Sequence, residues 1–184
     1  TISYTGTIYA GKQDPGKILE ALCHLFVSWQ MDRSLVAVNF YGRHDSSLQE
    51  AIVTRELTDV VVQHGMLPRA EIRQRQRASH LLLFLQWEDP KAQGIFPLKL
   101  YEYLDAGRPI LASGGAASDE IDSLLSETRT GTIAATVAEL EQALLAAYRS
   151  YLSDGKPPWH GIPEAISHYS YSGCAQQLAA CLEQ

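Results

Sequence analysis

The sequence predicts a Rossmann-like, doubly wound α/β domain, a parallel sheet covered by helices on both faces. Three observations carry this. Short apolar runs rich in β-branched and aromatic residues recur along the chain, segments of helical period lie between them, and glycine or proline marks most junctions. Parallel neighbours need helix-length crossovers, so strands alternating with helices pair in parallel and bury both faces.

Residues 2–7 read as the first strand, and a loop opening at Gly6 runs to Asp14 and Pro15, an N-cap residue followed by proline at the first helical position. The helix behind it repeats Ile18, Leu19, Leu22, Leu25 and Phe26 on one face. Residues 34–41 form a second strand that stops at Gly42, with a helix over 47–55. Residues 60–62 form a third strand ending at His64 and Gly65. Pro68 then starts a helix to about Ser79, and 80–86 is a fully apolar strand. A loop over 87–96 leads into a helix over 97–106, stopped by Gly107. Residues 109–112 are the fifth strand, 118–126 a short helix, 131–135 the last strand, and 137–152 a long amphipathic helix. A final helix near 171–182 follows the Pro157-Pro158 break.

With 184 residues and 46% hydrophobic content, the chain can bury one full core, and it is expected to be a single domain over 1–184 with a tail helix at about 162–184. The net charge of −6 gives no general pull towards nucleic acid. Its longest apolar run, Leu81 to Leu85, is too short to span a bilayer, so the chain reads as soluble and cytoplasmic. Cys23, Cys174 and Cys181 have no metal-type spacing and read as core-filling thiols. His24, His44, His80, His160 and His168 are scattered without a motif. No metal and no cofactor is expected.

In open parallel sheets, ligands sit beyond the carboxyl ends of the strands. Gly6, Gly42, Gly65 and the loop from Gly94 to Pro97 all stand there, so their backbone N–H groups suit a phosphate, and His64 joins them by position. Lys99 and Glu102 share a helix face, one turn apart. A first-turn lysine opposes the helix dipole unless an anion is held beside it. Two readings fit the pair: a solvated surface contact, or a lysine on phosphate with a carboxylate on ribose hydroxyls. Arg69, Arg73 and Arg77 form a stripe that reads as a solvated face, with contact to anionic lipid as the other reading.

The stretch from Gly65 to Pro68, the Ala78-Ser79-His80 lead into the apolar strand, and above all the run from Lys99 to Ile110 resemble the C-terminal half of retaining, GT-B-fold glycosyltransferases of the family 4 type. The resemblance spans nearly the whole chain. It implies a donor domain for a nucleoside diphosphate sugar, which serves as substrate, with an acceptor-binding N-terminal half as the missing partner. It leaves room for peripheral contact of the full-length protein with the inner face of the membrane. Glu102 matches the family's ribose-binding glutamate, and Lys12 matches a lysine position for the diphosphate. Thr7 stands where an arginine is usual, and Gly94 stands where the first glutamate of the pair is expected. Pro97, Leu98 and Lys99 fall at the diphosphate end, while Gly42, His64, Gly65 and Met66 fall where the base is met. No catalytic residue is assigned, and the chain is expected to bind without turning over alone. A non-catalytic nucleotide-binding module is the alternative. A related epimerase would need catalytic acids and histidines that the sequence does not offer.

Overall fold

The computed structural model describes residues 1–87, 96–115 and 120–182. Six strands form one sheet: β1 (Ile2–Thr5), β2 (Val38–Tyr41), β3 (Val61–Gly65), β4 (Leu81–Leu85), β5 (Ile110–Ser113) and β6 (Gly131–Ala134). Their order is β3-β2-β1-β4-β5-β6, and every pairing is parallel. The doubly wound α/β class predicted from sequence is the observed one. After β3 the chain crosses back and places β4 on the other side of β1, so the topological switch point lies between β1 and β4.

Among the described residues, eight α-helices connect or follow the strands: α1 (Gly16–Val27), α2 (Ser46–Thr54), α3 (Arg69–Ala78), α4 (Leu98–Ala106), α5 (Glu120–Thr128), α6 (Val137–Asp154), α7 (Pro163–Ser167) and α8 (Tyr171–Leu182). The alternation along β4 shows how both sheet faces are filled. Leu81, Leu83 and Leu85 join one core with α1, α2 and α6, and Leu82 and Phe84 join the other with α4 and α5. A strand buried on both faces needs an unbroken apolar run, which is what residues 81–85 supply.

Several boundaries differ from the sequence reading for local reasons. The second strand starts at Val38, because Arg33–Leu35 form a 3-10 turn held by Asp32, whose side chain accepts from the Ser34 N–H at 2.9 Å. Pro15, Pro68 and Pro97 each occupy the N-cap rather than the first turn. The tail expected as one helix over about 162–184 is two, the short α7 with proline at its start and α8. The cysteines are also corrected. Cys23 is only partly buried, and Cys174 and Cys181 are exposed, because Gly173 is the sole buried residue of α8. Tyr171, Leu178 and Leu182 on that helix are therefore exposed as well. No helix among the described residues is long and apolar enough to cross a membrane.

Candidate functional site

The buried ring of Tyr103 fixes α4 against the switch point. Its hydroxyl accepts from the Thr5 N–H at 2.9 Å and donates to the Leu83 carbonyl at 3.2 Å, which ties α4 to the carboxyl ends of both β1 and β4. Gln76 of α3 adds a third anchor, its Nε2 donating to Thr5 Oγ1 at 3.0 Å. Burial pushes the Tyr103 phenol up to about 12, so it stays protonated and can keep donating. With this network closed, the first two turns of α4 are held over the sheet edge.

That placement lets Lys99 cross above the end of β1. Its Nζ donates to the Tyr4 hydroxyl at 2.7 Å, although Tyr4 packs in the core on the opposite sheet face. Two glycines make the crossing possible. A Cβ at Gly6, whose φ is 114°, would lie 2.9 Å from Lys99 Nζ, and one at Gly42 would lie 2.1 Å from the Gly6 carbonyl oxygen. Tyr4 donates in turn to the Thr7 carbonyl at 2.9 Å, and burial holds its phenol well above the usual range. Desolvation draws the Lys99 ammonium down to about 8, with the nearby Glu102 opposing the shift.

Lys99 and Glu102 line one cleft of about 290 Å3 at the carboxyl ends of β1, β2 and β3. Its floor includes Gly6, Thr7 and Gly42, and Met66 lies on its rim. Glu102 is four-fifths buried at its side chain, and its Oε1 accepts from Arg69 Nη2 at 3.2 Å. No hydrogen bond to its Oε2 is formed among the described residues, which leaves that oxygen open to a ligand hydroxyl. The cleft brings Lys99, Arg43 and Arg69 together against Glu102, within a chain whose net charge is −6. A local surplus of cations in an acidic chain suits an anionic ligand.

Six residues expected from sequence thus meet: Gly6, Thr7, Gly42, Met66, Lys99 and Glu102. The others stand elsewhere. Lys12 lies with its Nζ 4.1 Å from the centre of the Trp87 ring, above the end of β4. That position follows from the loop before α1, where Gln13 Nε2 donates to the Leu85 carbonyl at 2.6 Å. His64 stacks on Tyr41 at 4.7 Å and pairs with Asn39 Oδ1 at 2.7 Å, outside the cleft lining. Gly65, Pro97 and Leu98 border the cleft in sequence without lining it, and Gly94 lies outside the described residues.

Sequence reasoning missed Arg43, the Glu102 partner Arg69, and the Tyr103 hub. A cation directly after a strand-ending glycine was the available signal for Arg43. Along α3, Arg75 pairs with Glu71 at 3.1 Å and Arg77 with Asp105 at 2.9 Å, as a solvated, ion-paired face does.

A larger groove of about 920 Å3 opens at the other end of the sheet, between α6 and Trp159. Its mainly apolar walls hold no convergent set of charged groups, and helix C-termini rather than N-termini point that way. Among the described residues, no group of three or more histidines, cysteines or carboxylates stands close enough to hold a metal ion.

No protein-family model matches the sequence, and a search of curated proteins finds no match. Solved structures do share the fold. HepE of Anabaena, solved with UDP and glucose, gives a TM-score of 0.72 at 16% identity over 99% of this chain and 48% of that one. WaaG, a glycosyltransferase involved in lipopolysaccharide biosynthesis, gives 0.62 at 18% identity over 92% and 42%. Sucrose-phosphate synthase from Thermosynechococcus elongatus gives 0.62 at 16% identity over 100% and 45%. The chain therefore spans somewhat under half the length of these structures.

Proposed function

We propose that this chain is the donor-binding domain of a glycosyltransferase, holding a nucleoside diphosphate sugar in the cleft at the carboxyl edge of β1. The observation that carries this reading is the pairing of Lys99 and Glu102, one helical turn apart, on the wall of a single cleft beside the switch point. The diphosphate rests near Lys99, the N–H groups at the start of α4 and the end of β1, and the ribose hydroxyls donate to Glu102. Solved neighbours of the same fold that hold UDP and glucose, or UDP-glucose, support a sugar nucleotide as ligand.

In transfer, the leaving diphosphate gains charge as the bond to the sugar breaks. The Lys99 ammonium stabilises that charge from a site already oriented by Tyr4, which is electrostatic preorganisation. No side chain of this chain is assigned as a general base. Retention of configuration, membership of the family 4 type, the GT-B arrangement with an N-terminal acceptor domain, and a cytoplasmic site with peripheral membrane contact belong to the same proposal. They rest on the motif from Lys99 to Ile110 and on the chain's span of under half its structural neighbours. A non-catalytic nucleotide-binding module is the second reading, favoured by Gly94 where the family places a glutamate.

Calorimetric titration with UDP-, GDP- and ADP-linked sugars tests the reading. Saturable binding of at least one, abolished or strongly weakened in Lys99→Met and Glu102→Gln, is expected. Equal binding by wild type and both variants would remove the site assignment.

A further inference from the structure

We propose that Arg43 is a second cation for the ligand's diphosphate, on the lining of the same cleft as Lys99. This rests on the reading of the cleft as a nucleoside diphosphate site. Arg43 directly follows Gly42 at the carboxyl end of β2 and lines the same cleft as Lys99.

Its backbone is pinned close to β1. The Gly6 N–H donates to the Tyr41 carbonyl at 2.7 Å, and the Gly42 N–H donates to the Gly65 carbonyl at 2.9 Å. Gly42 packs so tightly on Gly6 that only a residue without Cβ fits there. Arg43 therefore leaves the sheet one residue from the point where Gly6 and Thr7 present uncharged groups to the cleft.

Pairing separates Arg43 from the other arginine of the cleft. Arg69 has Glu102 as its carboxylate partner, whereas Arg43 has no ion pair or hydrogen bond among the described residues. Glu102 already offsets Arg69. The charge left for a ligand is thus Lys99 and Arg43, two cations for two phosphates that are both ionised at neutral pH. The two differ in kind. Lys99 is a half-buried point charge with its position set by Tyr4, while the exposed planar fork of Arg43 can take two oxygens of one phosphate.

The experiment is calorimetric titration of UDP, GDP and ADP, and of the matching nucleosides, at two salt concentrations. Wild type is compared with Arg43→Gln, Arg43→Ala and Lys99→Met, and with Arg73→Gln, which removes an exposed cation from α3. Arg43→Gln should weaken the best-binding diphosphate about tenfold, leave its nucleoside unchanged, and flatten the salt dependence. Arg73→Gln should match wild type. If Arg43→Gln and Arg43→Ala bind the diphosphate as wild type does while Lys99→Met loses it, the Arg43 assignment fails and the cleft reading stands. An equal loss for nucleoside and diphosphate also overturns it, because Arg43 would then contact base or ribose. If wild type binds none of the probes, the cleft reading fails and the Arg43 proposal falls with it.

Discussion

Lys99 Nζ lies 2.7 Å from the Tyr4 hydroxyl, and that hydroxyl donates to the Thr7 carbonyl at 2.9 Å. A core tyrosine thus holds a cation above the strand edge with its proton directed along the chain to the backbone. Burial of the ammonium costs the fold stability, which the Tyr4 hydroxyl and the Tyr4 ring, its centre 4.1 Å from Nζ, offset only in part. The ammonium is half-buried, desolvated and without an ion pair among the described residues, conditions under which a lysine gives up charge more easily.

Lys99→Met should therefore stabilise the fold by about 1–3 kcal/mol at neutral pH, since a hydrophobic side chain of similar volume replaces a poorly compensated charge. The same change should weaken nucleoside diphosphate binding at least tenfold. Thermal denaturation and calorimetry on one preparation measure both effects. A variant less stable than wild type would mean that Lys99 serves the structure rather than a ligand.

Two pH effects follow from the lowered value of about 8 at Lys99. Because the unfolded chain holds this proton more tightly than the folded one, stability should rise as pH climbs from about 8 towards the unfolded lysine value near 10.4. Below about 8 the burden on the fold is complete. Binding should run the other way. A diphosphate beside Lys99 raises its proton affinity, so binding near pH 8.5 should take up protons, and affinity should fall as pH rises further. Titration in buffers of different ionisation enthalpy measures the uptake, which should vanish in Lys99→Met.

Glu102→Gln should lower affinity for nucleoside and nucleoside diphosphate alike, by about tenfold. Wild type should also discriminate against a 2′-deoxy ligand, and the variant should not. Stability should change by less than about 1 kcal/mol, because the Arg69 partner is mostly exposed. Unaltered discrimination in the variant would place the ribose elsewhere.

The sheet, its order of elements and the Lys99–Glu102 pair were legible in the sequence because each depends on local spacing. Runs such as Leu81 to Leu85 announce a doubly buried strand, and an i, i+3 spacing sets a shared helix face whatever the rest of the chain does. What was hidden depends on which strands become neighbours. Arg43 reaches the cleft only because β2 pairs with β1, and Arg69 meets Glu102 only because α3 packs beside α4. No spacing singles out Tyr103 within its helix. Its role needs the ends of β1 and β4 to stand side by side.

Tyr103→Phe tests that role. It leaves the buried Thr5 N–H and Leu83 carbonyl without this partner and should destabilise the fold by about 1–3 kcal/mol. Nucleotide affinity should fall as well, since α4 loses its anchor. A thermal midpoint within error of wild type would show that the ring packing alone positions the helix.

A crystal structure of the chain with its best-binding nucleoside diphosphate offers the most direct measurement. A phosphate oxygen should lie within hydrogen-bond distance of Lys99 Nζ, with the ribose hydroxyls on Glu102. A ligand seated in the groove between α6 and Trp159, or a diphosphate that makes no contact with Lys99, would contradict the proposed site.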